Sequence, residues 1–308
     1  MTTDSMKISL IIPCYNVDEV LINRAVDSVD NQNFEDYEVI IVDDGSNDQY
    51  HRILEGIVAI HDKFKLITVT NGGVSRARNI GVTYACGTYI AFLDGDDTLE
   101  SSFFEKAIYI AEKENADFVI GGLALINVMD NQTAENHMDG NEDYEVFTGQ
   151  CVTELKKYFI GKESLIKFSA GHIGRGPVSR LIKSHIMKSV QFPENVHIGE
   201  DLIWNLKMLS VCKKVIISRQ RWYWYWQNQN SVTHGYNSEI YQEWMQQFAE
   251  LDKYIDLGDN SIYGPYVERL YEGMYQVWDC YLRYGETGNE TIKQKIYNDK
   301  PWVYFRDS

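Results

Sequence analysis

Four short stretches of this sequence collect the residue types that can do chemistry. FLDGDD sets Asp94, Asp96 and Asp97 at the end of an apolar run. Three carboxylates within four residues repel one another unless they are solvated or share a cation. A hard divalent ion with oxygen ligands, shared with a diphosphate, is the natural counter-charge. An acidic turn leading into a helix is the plainer alternative. The apolar run favours the metal reading, because a buried strand delivers the acids to the ligand edge of a sheet.

VDDGSND repeats the arrangement at 42–48. Asp43 and Asp44 can accept hydrogen bonds from a base or ribose, and Gly45 lets the backbone turn closely; Asp-Gly-Ser is equally ordinary turn chemistry. In NGGVSRARNIG (71–81), Gly72 and Gly73 permit close backbone approach, while Arg76 and Arg78 carry charge that suits phosphates or the aspartates themselves. Ala77, Gly81 and Ala85 recur at helical spacing in the same region. Glycine inside a helix costs about 1 kcal/mol relative to alanine, so this stripe points to close helix–sheet packing. HIGEDLIW (197–204) puts Glu200 and Asp201 at a helix start, where the macrodipole favours negative charge. That role is purely stabilising. The functional reading makes Asp201 a general base, kept ionised by the helix N-terminus and ready to take a proton from a hydroxyl.

Strands and helices must position these motifs. Apolar runs at 7–13, 37–44, 65–70 and 88–94 read as buried strands, separated by helices at 18–33, 48–62 and 74–86. Such strands, lacking polar alternation, predict a mostly parallel sheet covered on both faces. A helix at 101–115 and a strand at 116–126 follow. The polar, acidic stretch 129–149 reads as a mobile insertion, 150–160 and 162–168 as helices, and 171–200 as an irregular connection. From 236 to 308 the chain is aromatic with helical period; Val267, Leu270, Met274, Val277 and Tyr281 form a stripe beside Tyr271, Tyr275 and Trp278.

Bulk properties narrow the function. A chain of 308 residues has room for one large domain or a domain with an appendage. Its net charge of -16 argues against nucleic-acid binding, which needs a basic face. Five scattered cysteines without C-x-x-C spacing fit reduced thiols in the cytoplasm. No apolar run reaches the roughly 18 residues of a membrane span. The opening MTTDSMKISLIIPCYN has no basic leader or small-residue cleavage site, and its apolar run reads as a core strand rather than a signal peptide.

Taken in order, PCYN (13–16), VDDGS (42–46), GGVSRARNIG (72–81), YIAFLDGDD (89–97) and GED (199–201) resemble the family-2 inverting glycosyltransferases of GT-A fold over roughly residues 6–235. The resemblance implies an α/β architecture, Rossmann-like, with a mostly parallel central sheet flanked by helices. It divides the chain into a catalytic domain at 1–235 and a helical C-terminal segment at 236–308. Within the catalytic domain, 1–100 is the nucleotide-binding half and 101–235 the acceptor half.

Residue by residue, it implies that Pro13, Tyr15 and Asp44 surround the nucleotide base, with Asp43 nearby, and that Arg78 and Asn79 lie on the phosphate side. Asp94-Gly95-Asp96 looks like the DxD motif, with Asp96 and Asp97 as metal and ribose contacts, and Asp201 matches the catalytic base. RWYWYWQNQNSVTHG (221–235) resembles the family's tail, with Gln227 where an arginine often stands; His234 is a surface or core histidine or a further metal ligand.

The implied reaction is transfer of one hexose or N-acetylhexosamine from a nucleotide diphosphate sugar, best a UDP-sugar, to an acceptor hydroxyl with inversion. Mn²⁺ or Mg²⁺ is the implied cofactor. The acceptor is a glycan, glycoprotein or lipid-linked molecule of bacterial surface polysaccharide or glycoconjugate synthesis, met in the cytoplasm or at the inner membrane face. The Q-x-x-R-W motif of processive synthases is absent. A sugar nucleotidyltransferase would need a basic, glycine-rich loop where PCYNVDE stands. A non-catalytic sugar-nucleotide binder is disfavoured because every motif acid is present. For 236–308, packing on the catalytic domain, a homodimer contact and membrane docking are the three readings.

Overall fold

Ile8–Cys14 (β1) is buried at every position and is an interior strand of the sheet. Its neighbours are Tyr37–Asp43 (β2), which pairs onward to Phe64–Thr68 (β3), and Tyr89–Phe92 (β4) on its other side. All three pairings are parallel. Alternate side chains divide between two cores: Ile11, Ile40, Val42, Ile90 and Phe92 face one way, while Leu10, Ile12, Val39, Ile41 and Ala91 face the other. Burial on both faces explains why these runs carry no polar alternation. Helices Glu19–Asp30 (α1), Asp48–Ile60 (α2) and Val74–Tyr84 (α3) connect the strands. We describe residues 6–127, 144–161, 174–227 and 239–284 of a computed structural model, together with 294 and 298.

The strand order β3-β2-β1-β4 reverses direction at β1. Loops leaving β1 and β4 therefore diverge around a crevice at their carboxyl ends, the place where open α/β sheets bind ligands. The acids 94–97 follow β4 directly. The expected small-residue stripe on α3 is realised: a Cβ on Gly81 would collide with Ile11 and come within 3.2 Å of Val42.

Beyond β4 the sheet becomes mixed. Arg180–Lys183 (β8) adds antiparallel to β4, and Phe118–Asn127 (β6) adds antiparallel to β8. Lys214–Gln227 (β9) runs parallel to β6 and carries Tyr144–Thr148 (β7) and Thr98–Leu99 (β5) as antiparallel partners. The parallel part of the mostly parallel sheet expected from the sequence is β1 to β4. Two stretches read as loops supply strands. Residues 144–148 of the expected insertion form β7, and β8 lies mid-sheet within the expected irregular connection. β8 is four residues long and contains a buried arginine, too short and too polar for a periodicity to register.

Phe103–Glu114 (α4) covers the sheet; Gln150–Glu154 (α5), Lys156–Ile160 (α6), Ser184–Met187 (α7) and Glu200–Val211 (α8) follow along the chain. Ile240–Leu251 (α9) and Asn260–Tyr284 (α10) follow. Trp244, Phe248, Tyr266, Leu270 and Val277 join the same hydrophobic core as Leu202 and Leu206 of α8. The expected stripe on α10 is accordingly buried at Leu270 and Val277, whereas Tyr271, Tyr275 and Trp278 face outward. The helix expected at 162–168, the boundary at 235, His234 and the side chains of Gln227 and Tyr281 lie outside the described residues. No described helix is long and apolar enough to cross a membrane.

Candidate active site

The acid turn after β4 is held from three directions. Tyr223 on β9 donates its hydroxyl to Asp97 Oδ2 at 2.6 Å and accepts the Asp94 amide at 3.3 Å. The Trp226 amide donates to Asp97 Oδ1 at 2.8 Å. Arg24 of α1 donates to the Asp96 carbonyl and stacks 3.9 Å from the Trp226 ring centroid. Gly95 is needed inside this turn, since a Cβ would press within 3.3 Å of Cys14 and Val17. Asp97 is 1% exposed. Burial and the Asp94 charge push its carboxyl up to about 8 against the pull of its two donors. Both of its oxygens are engaged by protein, which makes it a fastener for the turn. Asp94 is about a third exposed, at 32%.

Arg78 projects from α3 beneath the acids. Its guanidinium donates to Asp94 Oδ1 at 3.0 Å and to Asp201 Oδ1 at 3.3 Å, with Glu200 Oε1 at 3.7 Å. The pairing with aspartates, one of the two readings for this arginine, is present. Burial opposes its charge, yet the three carboxylates hold it above the usual arginine range. Asn79 serves the fold: it donates to the Phe192 carbonyl at 3.0 Å and to Glu194 at 2.9 Å, and accepts the Phe192 amide at 2.8 Å. This amide clamps the segment leading into α8.

Asp201 occupies the first turn of α8, after Gly199 in left-handed conformation. The helix N-terminus expected to keep it ionised is opposed by its surroundings. Burial first, then Glu200, raise its carboxyl well above the ordinary aspartate value, and Arg78 opposes them. A carboxylate moved toward neutrality is better matched to proton abstraction than an ordinary one. Arg180, buried beneath, has its guanidinium pushed down to about 9 by desolvation.

At the outer end of β1, Pro13 is buried in the strand and Tyr15 is exposed at 56%. Asp44 accepts the amides of Gly72 and Gly73 at 2.9 and 2.8 Å, one on each oxygen. Asp43 accepts the Ser46 amide at 2.9 Å and pairs with His51 Nδ1 at 2.6 Å. These acids brace the loops that end β2 and precede α3. Gly45 must be glycine here: its φ is +76°, and a Cβ would stand 2.6 Å from the Asn71 amide nitrogen.

The sequence reading missed Tyr223, Trp226, Arg24 and His51. The alternation WYWYW at 222–226 was the available signal for a strand against the acids. His51 falls one helical turn into α2, and nothing in its local spacing points to Asp43.

The chain matches the family model described as glycosyl transferase family 2 over residues 9–172. It belongs to that family. The uncharacterized glycosyltransferase EpsJ of Bacillus subtilis (strain 168) is 30% identical over 226 residues, covering 73% of this chain and 62% of EpsJ. The poly(ribitol-phosphate) beta-glucosyltransferase of Bacillus spizizenii is 29% identical over 222 residues, covering 69% of this chain and 31% of that protein. The chain therefore spans less than two thirds of either relative. Its fold is similar to that of S. aureus TarS 1-349, crystallised with UDP-GlcNAc, at a TM-score of 0.63 and 19% identity over 97% of this chain and 79% of TarS. The GT-A architecture expected from the motifs is thereby borne out.

Proposed function

We propose that this family 2 chain transfers a single sugar from a UDP-sugar to an acceptor hydroxyl by one inverting displacement, with Asp201 as general base. The observation that carries this reading is the convergence of Asp94 and Asp201 on Arg78. It brings the acid turn at the ligand edge of the sheet and a carboxylate raised toward neutrality to the same spot.

In the proposed step, Asp201 takes the proton of the acceptor hydroxyl as that oxygen attacks the anomeric carbon, opposite the nucleotide. The bond from that carbon to the diphosphate breaks, and UDP leaves with the electron pair. Pro13, Tyr15 and Asp44 flank the base in this scheme, with Asp43 bracing the Asp44 loop. Arg78 keeps Asp201 and Asp94 in register.

The donor set fits Mg²⁺ or Mn²⁺. Among the described residues no three His, Cys, Asp or Glu side chains are grouped to hold an ion alone. Ions of this kind are commonly held by one or two carboxylates completed by substrate phosphates. Asp96, with Asp94 beside it, would hold the ion, which when bound would neutralise charge on the departing diphosphate.

The TarS complex supports a UDP-sugar donor, and the glucosyltransferase relative supports an acceptor among bacterial surface polymers. The test is UDP binding and UDP release from UDP-glucose, UDP-galactose, UDP-GlcNAc and UDP-GalNAc, each with Mn²⁺ or Mg²⁺. Binding with release from at least one sugar is expected. Neither binding nor release with any of them would overturn the proposal.

A further inference from the structure

We infer that the C-terminal helices α9 and α10 supply positioning residues for the base: Gln247 and Arg269 position the turn from which Asp201 projects, and Glu272 steadies the loop facing it. This inference rests on the proposed role of Asp201.

Gln247 is wholly buried on α9, and its amide donates to the Ile198 carbonyl. Ile198 immediately precedes Gly199, the residue that caps α8. Gly199 takes a φ of +73°, and a Cβ there would run into the Gln247 amide and stand 2.9 Å from the Arg269 guanidinium. The glycine is thus required twice, once for its backbone angle and once for the approach of these side chains. Arg269 of α10 is 5% exposed, donates to Gln247 Oε1 at 2.9 Å and lies 4.5 Å from the Trp244 ring centroid.

A second arm reaches the segment beside the carboxylate. Arg269 donates to Glu272 at 2.7 Å, and Arg175 donates to the same oxygen at 3.4 Å. The Arg175 carbonyl accepts from Asn205 at 2.5 Å, and Asn205 also donates to the Asp201 carbonyl at 2.7 Å. A Cβ on the next residue, Gly176, would lie 3.8 Å from Asp201 Oδ2. The helix pair therefore bonds both to the chain just before α8 and to the Arg175 segment beside the base.

Packing alone does not account for this network. Buried polar groups are costly unless fully bonded, and apolar side chains of similar volume would fill the space at least as well. What a bonded network adds is fixed geometry, and misplacing a reacting group by about 1 Å can cost on the order of a hundredfold in rate.

The decisive variants are Gln247→Glu, which keeps an acceptor for Arg269 but removes the donor to Ile198, and Gln247→Leu, which is neutral and similar in volume. Leu251→Ala, in the apolar core of α9, serves as a control for lost stability. All are made in the full chain and assayed by UDP release from whichever of the four UDP-sugars the parent turns over best, by UDP affinity with Mn²⁺, and by melting temperature.

Both Gln247 variants should lose on the order of tenfold or more in kcat with UDP affinity held within about twofold. The acid limb of their pH–kcat profile should move to lower pH as the carboxylate gains solvent. Leu251→Ala should melt earlier yet keep its kcat. Retention of kcat by the Gln247 variants, or an equal loss in Leu251→Ala, would overturn the inference. Asp201→Asn, assayed alongside, separates the two levels. Turnover in that variant removes the base and this inference with it; an inactive Asp201→Asn beside a normal Gln247→Leu removes the inference alone.

Discussion

Asp94 and Asp201 meet on one guanidinium: Arg78 donates to the first at 3.0 Å and to the second at 3.3 Å. The first follows β4 in the parallel part of the sheet and the second lies in the first turn of α8. Arg78, 5% exposed at its side chain, is the cation that lets them approach. Arg78→Met should destabilise the fold by about 2–3 kcal/mol, since removing one partner strands the others. The figure lies below that of a fully buried pair because Asp94 and Asp201 stay 32% and 25% exposed and are partly screened. Urea unfolding of the two proteins measures it, and an unchanged midpoint would show that the cluster contributes nothing to stability.

Asp201→Asn keeps the shape of the side chain and removes its basicity. Transfer should fall by a factor on the order of a hundred or more, the usual worth of a positioned base, while UDP affinity stays close to that of the parent. In the parent, activity should decline on acidification with a midpoint above the ordinary aspartate value of 3.8, because the carboxyl is raised. The pH–kcat profile and UDP calorimetry together check both statements.

The acid turn should divide into two functions. Asp96→Ala is expected to abolish the metal dependence of UDP binding and to lower transfer by roughly a hundredfold, the scale of a lost charge-stabilising group. Asp97→Asn should act through stability instead, because Asp97 is occupied by Tyr223 and the Trp226 amide. Its metal dependence should survive. UDP titrations with and without Mn²⁺ discriminate the two.

His51 links stability to pH. Its imidazole pKa is raised above 6.5, chiefly by the hydrogen bond to Asp43. A raised histidine stabilises fully below its unfolded value, and that stabilisation disappears as pH climbs through the folded one. With the ring 29% exposed, the effect should be about 1 kcal/mol or less. Unfolding free energies from about pH 6 to about pH 8.5 should fall in the parent and stay flatter in His51→Ala.

Much of this could be read along the chain. The strands β1, β2 and β4 announce themselves because both faces are buried, so each is a nearly unbroken apolar run. Gly81 signalled a close helix–sheet contact because its helical position is costly without one, and Ile11 is where that contact falls. β7 and β8 were illegible for the opposite reason. β7 is a half-exposed five-residue strand, and β8 is short with Arg180 buried inside it. Asn79 was placed on the phosphate side by resemblance, and only its three bonds to residues 192–194 reveal a clamp.

Local chemistry determined which residues are candidates: acids at strand ends, paired glycines before a helix, a carboxylate at a helix start. Spacing carries that information because a strand end or a helix cap is set by a few neighbours. Which acids fasten a loop or turn was decided only in three dimensions. Tyr223 engages Asp97, the amides of Gly72 and Gly73 engage Asp44, and Gln247 reaches Ile198 from a helix outside the recognised motifs. Each partner arrives from a distant part of the chain, and burial and hydrogen bonding act on what is near in space rather than in order.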